Sequence, residues 1–178
     1  YEGQILLPNE ITADNLKSFD AVVLGVRAFN VVPELKFKNK ILFDFVKNGG
    51  NLMVQYNTNQ PLVTDEISPI PLKLSRDRVT DEFSEVRFLA AGHRVLNSPN
   101  KITQKDFEGW VQERGLYFPN QWDAAFTPLL SMNDKGELPM DGSLLVAKYG
   151  KGYYIYTGLS FFRELPAGVP GAYRLLAN

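Results

Sequence analysis

The densest group of residues capable of chemistry lies between positions 106 and 118. Within thirteen positions this segment carries the carboxylates of Glu108 and Glu113, the guanidinium of Arg114 and several aromatic rings, including that of Trp110. Paired carboxylates with separated pKa values perform acid and base catalysis on sugars, and aromatic rings stack on sugar faces. A buried Arg–Glu network that fixes a long loop would use the same residue types. Both interpretations remain open at this stage.

Three further arginines extend this group. Arg76 and Arg78 lie in the Ser-Arg-Asp-Arg segment, which could meet the 106–118 segment in the folded chain. Arg163 follows a predicted strand and could therefore point toward the same face. We treat all three as candidate ligand-binding residues because guanidinium groups bind carboxylates and other anions directionally.

Two other polar loops follow predicted strands. Arg27 and Asn30 lie in the first loop, and Tyr56 and Asn57 lie in the second. Such side chains could bind a carboxylate, a phosphate or sugar hydroxyls through directional hydrogen bonds. They could equally tie the loops to the backbone, which is a frequent use of Asn side chains.

The sequence offers little for nucleophilic or metal catalysis. It has no cysteine and only one histidine, His93, and Thr58 is the hydroxyl nearest to the strand end where related hydrolytic folds place a nucleophile. A Thr without a neighbouring base is a poor nucleophile. One His with scattered carboxylates has no metal-ligand spacing. We therefore predict no catalytic residues, no metal and no cofactor, and a loop or packing role for His93.

Length and composition indicate one globular domain. The chain has 178 residues, 44% of them hydrophobic, and a formal net charge of −1, which gives no electrostatic reason to expect a nucleic-acid partner. No apolar run approaches the ~20 residues of a membrane span. Because the chain opens at Tyr1 without an initiator Met, we expect it to be part of a longer protein.

The first third of the chain predicts a βαβ unit. The apolar run 21–24 is typical of a buried strand, and apolar residues recur at helical spacing over 34–48. Pro33 precedes this helix and Gly49 ends it, before a second buried strand over 51–56.

The remaining pattern is less regular. Residues 57–84 alternate poorly and suggest a long excursion. A glycine-containing turn at 150–152 between two β-rich runs predicts a hairpin. The other predicted elements are a helix at 12–19, a short strand at 72–74, a strand at 85–89, a helix at 103–110, hairpin strands at 143–149 and 153–157, and a helix from 171 to 178.

These elements define an α/β domain with a mostly parallel sheet and a C-terminal antiparallel hairpin. Ligands of such folds bind outside the carboxyl ends of the parallel strands. The loops after Gly25 and Tyr56 are therefore the predicted location of a site.

Four strings carry a family resemblance. Residues 20–30 (DAVVLGVRAFN), 49–58 (GGNLMVQYNT), 106–118 (DFEGWVQERGLYF) and 156–163 (YTGLSFFR) resemble the C-terminal domain of large bacterial PIG-L (LmbE-like) deacetylases. The resemblance runs over nearly the whole chain, and the 106–118 string is its most specific part.

The resemblance implies a flavodoxin-like three-layer sandwich of the class I glutamine amidotransferase-like type. Residues 1–178 would then form a single domain that lacks the first strand and helix of the fold and the end of its last helix. It also implies a periplasmic or secreted location. The expected partner is an N-terminal zinc-dependent deacetylase domain of the same chain, with a glycan as a possible ligand.

The chain has neither the catalytic residues of the PIG-L deacetylases nor those of the glutamine amidotransferases. The chain has no Ala-His-Pro-Asp-Asp type motif and no Cys at the strand end near Gln55. The leading hypothesis is a non-catalytic accessory domain that supports the deacetylase domain or glycan binding. The alternatives are a sugar-active hydrolase or lyase that uses Glu108 and Glu113, and an oligomerisation or interaction module.

Overall fold

A computed structural model describes residues 2–178 and shows a five-stranded mixed sheet with the strand order β1-β2-β9-β8-β6. Strands β1, β2 and β9 run parallel, whereas β8 and β6 continue the sheet in antiparallel fashion. The strands of this sheet are β1 (Ala21–Leu24), β2 (Asn51–Gln55), β6 (Phe126–Pro128), β8 (Leu144–Tyr149) and β9 (Gly152–Thr157).

Four strands form two small antiparallel ribbons, β3 with β5 and β4 with β7. They are β3 (Leu72–Val79), β4 (Arg87–Phe88), β5 (Gly115–Trp122) and β7 (Leu130–Ser131). The α-helices are α1 (Ala13–Leu16), α2 (Ala28–Val31), α3 (Leu35–Lys47), α4 (Phe161–Glu164) and α5 (Pro170–Ala177), and short 3-10 helices span Pro8–Glu10, Arg94–Leu96 and Gln104–Phe107. None of the helices within residues 2–178 has the length and apolarity needed to cross a membrane.

The predicted βαβ unit is confirmed. Strands β1 and β2 pair in parallel from Ala21 opposite Asn51, and α3 connects them. Helix α3 forms here because its apolar residues share one face, which buries Leu42 and Val46 completely against the sheet. Gly49 follows the helix with a φ of 124°, a backbone conformation that favours glycine, and so ends it as predicted.

The predicted hairpin is also confirmed, and it is part of the main sheet. Strand β9 is at once the second strand of the hairpin and the neighbour of β2 in the parallel part of the sheet. Apolar residues therefore pack on both sheet faces. One core lies beneath α3, and the other lies beneath α5 and the ribbons.

The middle of the chain corrects several predicted elements. The strand expected at 72–74 is the eight-residue β3, which pairs with an unpredicted β5. Register irregularities between Lys73 and Val79 break the alternation that a sequence pattern needs. The strand predicted at 85–89 shortens to β4, and the helix predicted at 103–110 is a single 3-10 turn that keeps its Thr103–Asp106 capping box.

A close backbone contact joins β5 to the chain segment after β9. The N–H of Leu116 donates to the Gly158 carbonyl at 2.9 Å, and Gly115 bridges Leu159. A Cβ on Gly115 would lie 2.3 Å from the Gly158 oxygen. Glycine is therefore needed at position 115 for space.

We expect Gly115→Ala to lower the free energy of unfolding by about 2 kcal/mol, because the new methyl group meets backbone rather than a movable side chain. Urea unfolding followed by tyrosine and tryptophan fluorescence measures the change. Gly92→Ala is the matched control, since its Cβ would have no neighbour within 4 Å. Equal stability of the two variants would contradict the contact.

Candidate functional site

The carboxyl ends of β1, β2 and β9 meet the start of β5 at one edge of the sheet. This is the location that the sequence predicts for a ligand. The N–H of Arg27, after β1, donates to the carbonyl of Tyr56, after β2, at 2.6 Å. We call the polar and aromatic group at this place the edge cluster: Arg27, Tyr56, Glu113, Tyr117, Phe162 and Arg163.

Three aromatic rings form a column in the edge cluster. Tyr56 lies in the middle, with its ring centroid 5.7 Å from that of Tyr117 and 5.5 Å from that of Phe162. The Tyr56 and Phe162 planes differ by only 19°, so these rings are stacked. All three side chains are half-buried, which leaves part of each ring open to solvent.

Charged side chains border the column. The Nε of Arg163 lies 2.5 Å from Oε1 of the buried Glu113, and the Arg163 guanidinium lies 5.0 Å from the Phe162 ring centroid. Arg27 is exposed and close enough to affect the Tyr56 phenol. Burial raises the pKa of Tyr56, whereas the positive charge of Arg27 opposes that rise. The phenol is therefore protonated at neutral pH and can donate a hydrogen bond.

Backbone strain concentrates around the edge cluster. Within the described residues, the non-glycine residues with a left-handed φ are Arg27 at 59°, Gln112 at 68° and Tyr117 at 50°. Each such residue costs about 1 kcal/mol or more and persists only where surrounding contacts impose it. Two of the three belong to the edge cluster, and Gln112 directly precedes its Glu113.

Asn30 and Asn57, two of the predicted site residues, hold the loops together. Asn30 donates to the Thr58 carbonyl at 3.0 Å and accepts from the Thr58 N–H at 2.9 Å. The completely buried Asn57 accepts from the Phe29 N–H at 2.9 Å and donates to the Gln55 carbonyl at 2.8 Å. Both amides are thus occupied by the protein itself, and they position Arg27 and Tyr56.

Arg114 and Trp110 lie in the core rather than at the edge. Arg114 is 5% exposed, and it donates twice to the Ser84 carbonyl, at 3.1 and 2.9 Å, and once to the Phe107 carbonyl. Its guanidinium lies 5.7 Å from the Trp110 ring centroid, and the Trp110 indole donates to the Asp106 carbonyl at 2.9 Å. These contacts fix the loop, but Arg114 binds backbone carbonyls and not the glutamate of the Arg–Glu network that the sequence offered as one of two interpretations.

The other predicted residues lie apart from the edge cluster. Glu108 and Arg76 are exposed, and neither side chain has a hydrogen-bond partner among residues 2–178. Arg78 forms a weak ion pair with Glu137 at 3.5 Å. Of the two carboxylates considered for sugar chemistry, the structure places only Glu113 in the edge cluster.

Thr58 and His93 are engaged locally. The Thr58 hydroxyl donates to the Gln60 carbonyl at 3.0 Å. Nδ1 of His93 accepts from the Val95 N–H at 3.2 Å and caps the 3-10 helix Arg94–Leu96. Within residues 2–178, no group of three or more His, Cys, Asp or Glu side chains is placed to hold a metal ion.

Sequence reasoning missed Glu164, Tyr117 and Phe162 as contributors to this region. Glu164 is completely buried, accepts from the Ser160 hydroxyl at 3.1 Å and accepts from the Val111 N–H at 2.9 Å. It therefore links α4 to the segment that carries Glu113. The Ser160–Glu164 spacing of four residues was a usable signal, since such residues are neighbours on a helix. The stacking of Tyr117 and Phe162 on Tyr56 has no local sequence signal.

Comparisons with known proteins bear on the fold. No protein-family model matches the chain, and a search of curated proteins finds no match. The chain is similar to the solved structure of the cytoplasmic protein STM3548 from Salmonella typhimurium, with 13% identity and a TM-score of 0.62 over 93% of this chain and 72% of that chain. It is also similar to the cytoplasmic protein STM1381 from Salmonella typhimurium LT2, with 13% identity and a TM-score of 0.57 over 95% and 75%. At this identity the likenesses show the fold alone, an α/β domain.

We expect Arg114→Lys to lower the free energy of unfolding by about 3 kcal/mol, because a lysine cannot bind the Ser84 and Phe107 carbonyls together. Chemical denaturation measures the loss. Arg76→Lys is the matched control and should change stability by less than about 0.5 kcal/mol. A tolerated Arg114→Lys would show that the network does not stabilise the fold.

Glu164 gives a pH-dependent prediction. Burial raises the pKa of this carboxyl above its ordinary value of 4.5, although the Val111 N–H opposes the shift. The folded state thus binds the proton more tightly than the unfolded chain, so the contribution of Glu164 to stability falls as pH rises from about 4.5 toward neutrality. The free energy of unfolding of Glu164→Gln should therefore rise relative to that of the wild type as the pH increases over this range.

The measurement is the free energy of unfolding of both proteins at several pH values. Taking the difference between them removes the titration of all other groups. Glu108→Gln, at an exposed carboxylate, is the matched control for the removal of one carboxylate charge. A Glu164→Gln difference that is flat, or that has the opposite slope, would contradict the raised pKa.

Proposed function

We propose that this chain is a non-catalytic accessory domain of a PIG-L type carbohydrate deacetylase and that it binds a glycan at the edge cluster. The observation that carries the proposal is the half-exposed ring column Tyr117–Tyr56–Phe162, bordered by Arg27 and the Glu113–Arg163 pair. The finer fold, a flavodoxin-like sandwich of the amidotransferase-like type, belongs to the same proposal.

The composition of the edge cluster favours a sugar ligand. Sugar rings present apolar C–H faces that stack on aromatic rings, and hydroxyl edges that need directional donors and acceptors. Here the ring faces come from the column, a phenol donor comes from Tyr56, and guanidinium donors come from Arg27 and Arg163. The Tyr56 hydroxyl has no hydrogen-bond partner among residues 2–178, so it is available to a ligand.

The partners of the Thr58 hydroxyl and the Glu113 carboxylate favour a non-catalytic role. Thr58 binds the Gln60 carbonyl instead of a base, and Glu113 is held by Arg163. The hydrolase alternative needs a second carboxyl group facing Glu113 across a cleft, roughly 5 to 9.5 Å away. Glu108 is exposed outside the edge cluster, so the geometry favours binding over hydrolysis.

The parent activity follows from the family resemblance. The sequence strings at 20–30, 49–58, 106–118 and 156–163 resemble the C-terminal domain of large PIG-L deacetylases. In such a protein the zinc-dependent chemistry would reside in a separate N-terminal domain. The present domain would hold the glycan close to that catalytic domain and raise its effective concentration there.

We expect this chain to bind N-acetylated oligosaccharides in isothermal titration calorimetry. Tyr56→Ala and Phe162→Ala should each weaken binding about tenfold, or about 1.4 kcal/mol, because each removes a stacking surface. Tyr153→Ala is the matched control, since Tyr153 is 44% exposed at the opposite end of β9. Binding that is unchanged in the first two variants would exclude the column as the ligand platform.

The same variants in the full-length protein test the accessory role. Tyr56→Ala should lower deacetylation of a polymeric substrate while leaving a small soluble substrate unaffected, because only the polymer needs a second point of attachment. Equal activity of wild-type and variant proteins on both substrates would contradict a supporting role. Hydrolysis of a glycosidic bond by this chain alone would favour the hydrolase alternative.

A further inference from the structure

A concave region lies at the other end of the sheet from the edge cluster. It has a volume of about 690 Å³ and lies between the middle of α3, the segment before β3 and the end of β5. Tyr149 in its wall precedes the amino end of β9, whereas the edge cluster lies beyond the carboxyl end of that strand. We call this region the α3 cleft and define it by Lys40, Asp65, Lys73, Gln121, Trp122 and Tyr149.

The two aromatic residues of the α3 cleft differ from those in the core. Core aromatic residues have partners for their polar atoms: the Trp110 indole donates to Asp106, and the Tyr154 hydroxyl donates to Ile67 at 2.7 Å. Trp122 and Tyr149 are half-buried, and within residues 2–178 neither polar group has a hydrogen-bond partner. Their N–H and O–H groups are therefore free to bind a ligand.

The charged groups of the α3 cleft nearly balance. Lys40 and Lys73 bring two positive charges, and Asp65, Glu66 and Asp123 bring three negative charges. Among the described residues, the side chains of Lys40, Lys73 and Asp65 have no ion-pair partner. A cleft of mixed sign suits an uncharged ligand with many hydroxyl groups better than a strong anion or cation.

Backbone pairing holds the walls of the α3 cleft in place. Leu72 pairs with Trp122 and Lys73 pairs with Gln121 in the β3–β5 ribbon, and the Asp123 N–H donates to the Pro71 carbonyl at 3.0 Å. A volume of this size is within the usual range for ligand sites, and a preformed wall reduces the entropy cost of binding.

We propose that the α3 cleft is a second, independent saccharide site in which a neutral sugar ring stacks on Trp122. Its hydroxyl groups bind Asp65, Gln121 and the two lysines. This site does not depend on the edge cluster, which uses other residues at the opposite end of β9. With both sites occupied, one domain would hold a polysaccharide at two points and gain avidity without any further contact.

Nuclear magnetic resonance of the indole N–H groups provides a sharp test, because the chain has two tryptophans. The probes are the neutral tetramers of N-acetylglucosamine and of glucose, and the cationic tetramer of glucosamine. With at least one neutral probe, the Trp122 signal should shift saturably. The Trp110 signal should stay in place, because that indole is buried and already donates to Asp106.

Variants separate this proposal from that for the edge cluster. Asp65→Asn should weaken binding at the cleft about threefold, as followed by the Trp122 shift. Trp122→Ala removes that signal, so its binding is measured by calorimetry in the Tyr56→Ala background, where it should be about tenfold weaker. Tyr56→Ala should leave the Trp122 shift unchanged. A saturable Trp122 shift in the wild-type protein, together with saccharide binding that is as tight in Tyr56→Ala and Phe162→Ala as in the wild type, would overturn the function proposed above and support the cleft.

Three outcomes would overturn the second site. The first is no Trp122 shift with any neutral probe at millimolar concentration. The second is a shift that disappears in Tyr56→Ala. The third is a shift with the cationic probe alone, which would contradict a neutral ligand.

Discussion

The contact between the start of β5 and the chain after β9 is the constraint on which the edge cluster depends. Gly115 and Gly158 let two backbones approach, and Leu116 and Ser160 then exchange hydrogen bonds with the opposite segment. The Ser160 hydroxyl also donates to the Glu113 carbonyl at 2.9 Å. A long excursion between β2 and β9 is thereby fastened to the parallel sheet. Without this attachment, Tyr117 would not reach Tyr56.

The parts of the fold that sequence could predict are those with short-range order. Helix α3 has one apolar face, and the β8–β9 hairpin alternates around a glycine turn, so both follow from patterns within about 15 residues. The β3–β5 ribbon could not be predicted in this way. Its strands lie far apart in sequence, its register is irregular, and β5 contains Pro119, a residue that is rare inside strands. Pairing over such a distance is determined by tertiary contacts.

The sequence predicted the location of the candidate site better than it predicted which residues form it. Arg27, Tyr56, Glu113 and Arg163 were candidates and do meet at the carboxyl edge, as the rule for parallel strands implies. Trp110 and Arg114 were equally attractive by residue type, yet both lie in the core. Residue type does not distinguish an arginine that binds a ligand from one that binds the carbonyls of its own loops. Only burial and hydrogen-bond partners make that distinction.

Backbone strain distinguishes the edge cluster from other loop junctions among residues 2–178. Arg27, Gln112 and Tyr117 adopt left-handed backbone conformations in which glycine would be less strained. Glycines elsewhere in the chain take up such conformations, as at Gly109 and Gly150. A turn with no other role would be expected to use glycine here too. A side chain at positions 27 and 117 places a guanidinium and an aromatic ring beside Tyr56, and glycine could supply neither. The strain is therefore best explained by a requirement for these side chains at the edge.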